Sequence, residues 1–435
     1  MPGRRSVLIS CTLASFLTPF SSSSITVLLP QLSSHFGVSL AASNWSAGAY
    51  LIPLAAFIVP LGRIADWKGR STIFMIGLIS FSASSLLAAL SPDFTSFLIF
   101  RFLQGISSSM ISATAVAVLS EAFPREERGR AVGVNTASVY VGLSLGPLMG
   151  GLIADLLSWT WVLILSSLAS LLALLPSRNL PKSRELSSPP SPALISLHAI
   201  SMILLAYGIS SPGGSGIAIS SIGAALLAAW LSREMLGDGI LGPQLLRNGA
   251  YMASSTAALL NYSATYAISI VLSLHLQRVL GLPASVAGII LTAQPIVQAF
   301  LSPLAGYLAD RISPHRVASL GMILVALGVV SLLPLTPSRQ PASLLPSLLL
   351  LGVGFALFAS PNTVAALNAS PIPLYGSATA FLGSMRFLGQ SLSTSILMIL
   401  MAGMELSRAM NAALMIYVVI SAAGAVLSAV ARYKR

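Results

Sequence analysis

Long apolar runs, broken by short polar segments, set the layout of this chain. Runs of about 20 mostly apolar residues, the length that crosses about 30 Å of hydrocarbon as a helix, begin near residues 6, 46, 71, 95, 130 and 159. A polar break rich in Pro and Ser, residues 176–192, follows. Two shorter runs, 193–210 and 215–232, are joined by Ser211-Pro212-Gly213-Gly214, and six more begin near residues 250, 284, 317, 343, 375 and 409. The total is fourteen, or twelve without the two short runs. The runs are continuous and exceed the roughly 10 alternating residues of a barrel strand. A helix satisfies its own backbone in lipid, so the pattern predicts an all-α polytopic membrane protein with 14 TM helices. The first run follows Arg4 and Arg5 but is longer than the apolar core of a secretory signal, which predicts a retained first helix.

Composition narrows the function classes. Of 435 residues, 55% are hydrophobic and 8% charged, against about 25% charged in a soluble domain. With a mean hydropathy of +0.88, the chain cannot coat a water-soluble particle, which excludes a cytosolic enzyme, a nucleic-acid-binding module and a disordered chain. The net charge of +12 sits in short segments between apolar runs. With the N-terminus inside, eighteen of the 23 Lys and Arg residues fall on the inner side. Arg278, Arg339 and Arg408 fall outside, and Arg101 and Arg386 within runs. That bias predicts a multi-pass protein of the cell membrane with both termini cytoplasmic. Removing a hairpin preserves the parity, so the bias does not separate twelve spans from fourteen.

Chemical signatures of catalysis are missing from the pattern. Cys11 is the only cysteine, and His35, His198, His275 and His315 have no metal-ligand spacing. No phosphate-binding P-loop, nucleophile elbow or paired catalytic carboxylates occur. The reading is no enzyme, no cofactor, no metal and no nucleic-acid partner. His275, near the outer end of span nine, reads as a wet interfacial histidine ahead of a proton carrier.

An internal repeat is visible. Asp66, in Gly62-Arg63-Ile-Ala-Asp66-Trp-Lys-Gly69-Arg70 between spans two and three, lies 244 residues before Asp310, in Gly306-Tyr-Leu-Ala-Asp310-Arg311 between spans ten and eleven. Gly133 and Gly376, opening spans five and thirteen, are 243 apart. One offset at two places suggests two related halves: residues 1–181 as an N-terminal six-helix bundle and 242–435 as a C-terminal one. Residues 182–241 hold a cytoplasmic linker and an inserted two-helix hairpin. A site between parallel halves is a transporter architecture.

Three segments carry the candidate chemistry. In the first, Gly62 and Gly69 permit close approach and a tight turn, while Asp66 can accept from helix amides or pair with a cation. This reads as a gate latch, against the plainer reading of a positive-inside loop. In the second, Arg101-Phe-Leu-Gln104-Gly105 places a guanidinium about 12 Å deep by helical rise. It should face the bundle interior, unless it snorkels toward Asp93. In the third, Gly142-Leu-Ser-Leu-Gly146-Pro147-Leu-Met-Gly150-Gly151, the glycines make one smooth packing face and Pro147 removes a backbone donor. That suggests a bend point, although generic packing would explain the glycines alone. Arg386 sits near mid-bilayer by the same rise. Tyr50, Asn135, Asn261, Tyr262, Gln294 and Asn362 are candidates to line the pathway, or to bond between helices.

On these segments the chain resembles the major facilitator superfamily, specifically its fourteen-helix drug:proton antiporter branch, over nearly its whole length. Gly62–Arg70 is similar to the G-x-x-x-D-x-x-G-R motif, Arg101–Gly105 to R-x-x-Q-G, and Gly142–Gly151 to G-x-x-x-G-P-x-x-G-G. The resemblance implies two pseudo-symmetric six-helix bundles that rock about a central cavity. It implies a secondary active transporter, acting as a monomer, that exports small amphipathic molecules of the multidrug type with a proton as coupling ion. An importer or facilitator of a small nutrient is the alternative, and a membrane-embedded sensor a more distant one. The chain departs from the pattern in span one, where many relatives place an aspartate and this one has Ser21-Ser22-Ser23-Ser24. All eleven Asp and Glu residues fall in loops or at span ends. A neutral, zwitterionic or anionic substrate is therefore expected ahead of a permanent cation. Proton coupling would fall to Asp66, Asp155, Glu121 or His275.

Overall fold

Once water is gone, each backbone N–H in an apolar run must find its partner inside that run, and helices are the open-ended solution. The computed structural model is built almost wholly of them. It describes residues 2–180, 189–211, 214–236, 239–338, 340–371 and 374–430. The long helices are α1 (Pro2–Phe36), α2 (Trp45–Lys68), α3 (Arg70–Ala89), α4 (Phe94–Ala122), α5 (Arg125–Leu156), α6 (Trp159–Leu174) and α7 (Pro192–Ser210). They continue as α8 (Gly214–Leu236), α9 (Gly249–Thr265), α10 (Ala284–Arg311), α11 (Pro314–Leu332), α12 (Leu345–Asn368), α13 (Tyr375–Gly403) and α14 (Leu406–Val430). Among the described residues, thirteen helical segments are long and apolar enough to cross a membrane. Helix α6, with 16 residues, falls short of that length.

Several expected boundaries lie elsewhere. Gly62–Arg70 is not a loop, because the helical ladder of α2 runs through to Lys68. The turn is Gly69 alone, with φ at 97°, a backbone region that side chains rarely enter. Gly306–Arg311 likewise forms the end of α10 rather than a connection. Gly133 lies two turns inside α5, which starts at Arg125. Residues 181–188 of the linker, with Lys182, Arg184 and Glu185, lie outside the described residues. So do Pro212, Gly213, Asp238, Arg339, Arg432, Lys434 and Arg435, and the side chain of Asp310.

Span nine is broken. Helix α9 stops at Thr265 and resumes as Ile268–Leu274, and a π turn follows at His275–Val279. The amide of Ala267, inside the break, donates to Ser393 Oγ at 3.0 Å. The π turn keeps the end of this span in the core, so His275 is fully buried, not the wet interfacial residue the sequence suggested. Such wide turns are frequent at functional sites.

Between membrane helices the packing force is close van der Waals fit rather than apolar burial. Helix α5 lies between α1 and α10, and α2 lies between α4 and α13. The hairpin α7–α8 is closed by Trp230, fully buried with its ring 4.4 Å from that of His198. Helix α7 rests on both α2 and α13, where the hydroxyls of Ser210 and Ser395 bond. Large apolar side chains such as Phe300 (81% exposed) and Leu304 project outward from α10, as a lipid-facing surface requires.

Candidate functional site

At one end of the bundle, Arg70 opens α3 and reaches two acids. Its Nε donates to Asp66 Oδ1 at 2.8 Å, and its Nη1 to Glu121 Oε1 at 2.9 Å. Asp66 ends α2 and Glu121 ends α4, so one guanidinium ties three helices. All three groups are about a quarter exposed, and each such pair contributes about 0.2–1 kcal/mol. Asp66 pairs with a cation rather than with helix amides. Gly62, Arg63, Asp66 and Arg70 face Gly376, Ser377 and Ala380 of α13 across a cavity of about 40 Å³ that Ile240 and Leu241 also line. A Cβ on Gly62 would lie 3.7 Å from that of Ala113 and 3.9 Å from that of Ala380. In the second copy, Gly306 faces Ser360, and Arg311 is exposed and stacks over Tyr307 at 4.6 Å.

Helix α5 carries the glycine-rich string as a two-sided surface. On one side a Cβ at Gly142 would meet the Phe16 carbonyl oxygen at 2.5 Å, and Gly146 and Gly150 abut Ser23 and Ser24 of α1. On the other, Gly151 meets the backbone of Ala284, and the carbonyl of Pro147 meets Gly288 on α10. The helix runs unbroken through Pro147. Thr292 Oγ1 donates to the Ser144 carbonyl at 3.2 Å, and Asp155 Oδ2 accepts from the Ser285 amide at 2.7 Å. At that end an open depression of about 580 Å³ is lined by Asp155, Gln277, Arg278 and Pro30.

Eight residues into α4, Arg101 is fully buried and faces the interior. Its Nε donates to the Ser46 carbonyl at 3.2 Å, and its Nη1 to Ser21 Oγ at 3.1 Å and Gln104 Oε1 at 2.5 Å. Gln104 Nε2 passes the chain on to Ser85 Oγ at 2.6 Å. The guanidinium lies 4.6 Å from the ring centre of Tyr50, a contact worth about 2 kcal/mol when desolvated. Tyr50 is itself fixed by Thr18 O and Ser108 Oγ, and Gly105 lets α4 close on the Tyr50 backbone. Arg101 Nη2 has no partner. Ion pairs among the described residues include Arg4–Glu127, the two on Arg70, and Arg408–Glu405. None involves Arg101. A buried charge without its counter-ion costs several kcal/mol.

Arg386 is half-buried on α13. Its Nη2 donates to Thr363 Oγ1, and its guanidinium stands 6.0 Å over the Tyr262 ring. Tyr262 also meets Phe355 edge-on. One turn on, in the break after α9, the hydroxyl of Tyr266 donates to the Ser22 carbonyl at 3.0 Å, next to the Ser21 whose Oγ accepts from Arg101. The remaining candidates sit mostly between helices. Asn261 Nδ2 bonds Met322 Sδ at 2.8 Å, and Asn362 Nδ2 bonds the Ser254 carbonyl at 3.0 Å. Asn135 is buried with Oδ1 unpaired, and Gln294 is half-buried.

Two features were missed by sequence reasoning. Tyr266 gives no motif signal. Glu234, seen only as an acid at a span end, is fully buried, and its carboxylate accepts from the amides of Ile240 (2.6 Å), Leu241 (2.9 Å) and Gly242 (3.3 Å). Among the described residues, no cluster of side chains could hold a metal.

A bundle of membrane-length helices around a fully buried arginine fits a transporter rather than an enzyme. The Major Facilitator Superfamily profile matches residues 11–230 and 254–435, and the chain belongs to that superfamily. It is 27% identical over 413 residues to the uncharacterized transporter YebQ of Escherichia coli, covering 92% of this chain and 90% of that one. It is 23% identical over 394 residues to the riboflavin transporter RibZ of Clostridioides difficile (89% and 86% covered). Over 403 residues it is 27% identical to the multidrug resistance protein Stp of Mycobacterium tuberculosis (90% and 74% covered). The fold matches the crystal structure of an auto-inhibited POT family peptide transporter with a TM-score of 0.75 at 16% identity, covering 99% of this chain and 98% of that one.

Proposed function

We propose that this chain is a secondary active transporter of the cell membrane that exports small amphipathic compounds, multidrug-type, by alternating access with proton coupling. In this reading it has fourteen membrane helices in a 6+2+6 arrangement and cytoplasmic termini, and works as a monomer. The observation that carries the reading is the two-sided face of α5. Gly142, Gly146 and Gly150 press on α1, and Pro147 and Gly151 press on α10. With no side chains in the way, α10 can slide against α5 at the outer end when the halves rock. The Asp66–Arg70–Glu121 triad, against Gly376–Ala380 of α13, would latch the opposite, cytoplasmic end. The multidrug resistance name of one relative supports export. The proton route would use Asp66, Glu121 or Asp155, which line the two ends.

Purified protein in liposomes with an imposed proton gradient tests this directly. Export predicts that an amphipathic dye moves against the proton flux, and that Asp66→Asn slows the movement by up to about fivefold at unchanged expression. Movement with the proton flux would instead support nutrient import, the reading that the riboflavin transporter relative keeps open.

A further inference from the structure

We infer that Arg101 and Arg386 together form a receptor for an amphipathic carboxylate, so that the exported molecules are organic anions. The inference rests on the export reading and names its substrate class. Arg101 is fully buried, and its Nη2 is left without a partner while its other two nitrogens are occupied. An orphaned guanidinium donor in a dry site calls for an anionic oxygen. The described residues do not supply one, because each Asp and Glu among them lies at a helix end or in a connection. Arg386, half-buried, has Thr363 and the face of Tyr262 beside it and likewise lacks an acid. Tyr262, near the end of α9, and Tyr266, in the break that follows, stand one turn apart, the first beside Arg386 and the second bonded to Ser22, next to the Ser21 that holds Arg101. The end of α9 and the break after it therefore link both cations. The break in the helix beside Tyr266 is a form of irregular backbone that membrane proteins tolerate where it is buried in protein or lines a cavity.

The position that would neutralise Arg101 is occupied by a hydroxyl. Ser21 Oγ lies 3.1 Å from Nη1, close enough for a carboxylate at this residue to pair with the guanidinium. With serine there, a permanent cation entering the site meets two like charges and no acid. A neutral molecule can offer Nη2 an acceptor but not the opposite charge. A carboxylate supplies both, and the ring faces of Tyr262 and Phe355 offer an apolar platform for the rest of the molecule.

Three fluorescent compounds with one skeleton separate the cases: pyrenebutyrate, pyrenebutanol and pyrenebutyl-trimethylammonium. Binding to the detergent-purified full chain, and movement in liposomes, are measured for each. The expected order is carboxylate first, by about tenfold over the alcohol, and ammonium last. Arg101→Gln should bring the carboxylate down to the level of the alcohol. Ser21→Asp, a small change that does not depend on the fate of the Arg101 variant, should reverse the order in favour of the ammonium. Equal binding of all three, or a carboxylate preference that survives both substitutions, overturns the proposal. Charge-selective binding without movement of any compound would leave the receptor standing and remove the export reading. Movement of all three without charge preference would do the opposite.

Discussion

The phenol of Tyr266 hydrogen-bonds the main-chain carbonyl of Ser22, 244 residues earlier in the chain. The same interval separates Asp66 from Asp310, and Arg278 Nη2 reaches Ser34 Oγ at 3.2 Å across it as well. Under two-fold symmetry a position touches its own counterpart only where it lies on the axis. In the proposed two-half arrangement, α1 and the broken span nine therefore run along the pseudo-axis, and the Ser22–Tyr266 bond sits at the pivot. Tyr266→Phe should cost about 1 kcal/mol of the present conformation, about fivefold in the balance between conformations. Thiol labelling of a cysteine placed at Gln277, with Cys11 replaced by serine, reads that balance and should speed up accordingly. An unchanged labelling rate would place the pivot elsewhere.

Substitution along α5 should divide sharply by face. A Cβ at Gly151 would be forced into the Ala284 backbone, and overpacking of this kind costs about 1–3 kcal/mol. Gly151→Ala should lower transport by about tenfold or more while membrane insertion is retained. Gly133→Ala, on the same helix but with nothing within 4 Å of the added carbon, should instead raise thermal stability by about 0.5–1 kcal/mol. Dye efflux and detergent melting curves for the pair measure the contrast.

Arg70 shares its charge between two acids, so the acids should not act independently. Asp66→Asn and Glu121→Gln are each expected to shift the gate equilibrium by up to about 1 kcal/mol. The double variant should lose less than the sum, because one guanidinium serves both. A double-mutant cycle on transport rate, repeated at high salt where these partly exposed pairs weaken, supplies the number. Strict additivity would separate the two pairs.

Glu234 holds the entry into the last six helices. Glu234→Ala strands the amides of Ile240 and Leu241, both in buried residues, at about 1–3 kcal/mol in stability. Glu234→Gln, which retains one acceptor oxygen, should recover part of the loss. Limited proteolysis near residues 237–242 should become faster in the alanine variant and much less so in the glutamine one.

Much of this was legible in the chain because lipid leaves few choices. A run of about 20 apolar residues must be a helix, and the two short runs 193–210 and 215–232 become α7 and α8. Arg101 was legible too, since a charge that deep has to face protein. What escaped depends on geometry that periodicity does not encode. The helical state of Gly62–Lys68 was hidden by its charges, which read as a loop although a helix end near the membrane surface tolerates them. The burial of His275 follows from one wide turn, which leaves no residue signature. The anchoring role of Glu234 needs three amides from a connection that folds back on it, and the Ser22–Tyr266 bond needs the two halves already assembled.

The hairpin α7–α8 breaks the evenness of the molecule. By lying on α2 and α13 at once, it roofs one of the two long joints with protein, while α10, at the other joint, turns Phe300 and Leu304 outward. In the proposed cycle, acyl chains would reach the moving joint at α10 and not the one at α2 and α13, so bilayer thickness and fluidity would act through that flank.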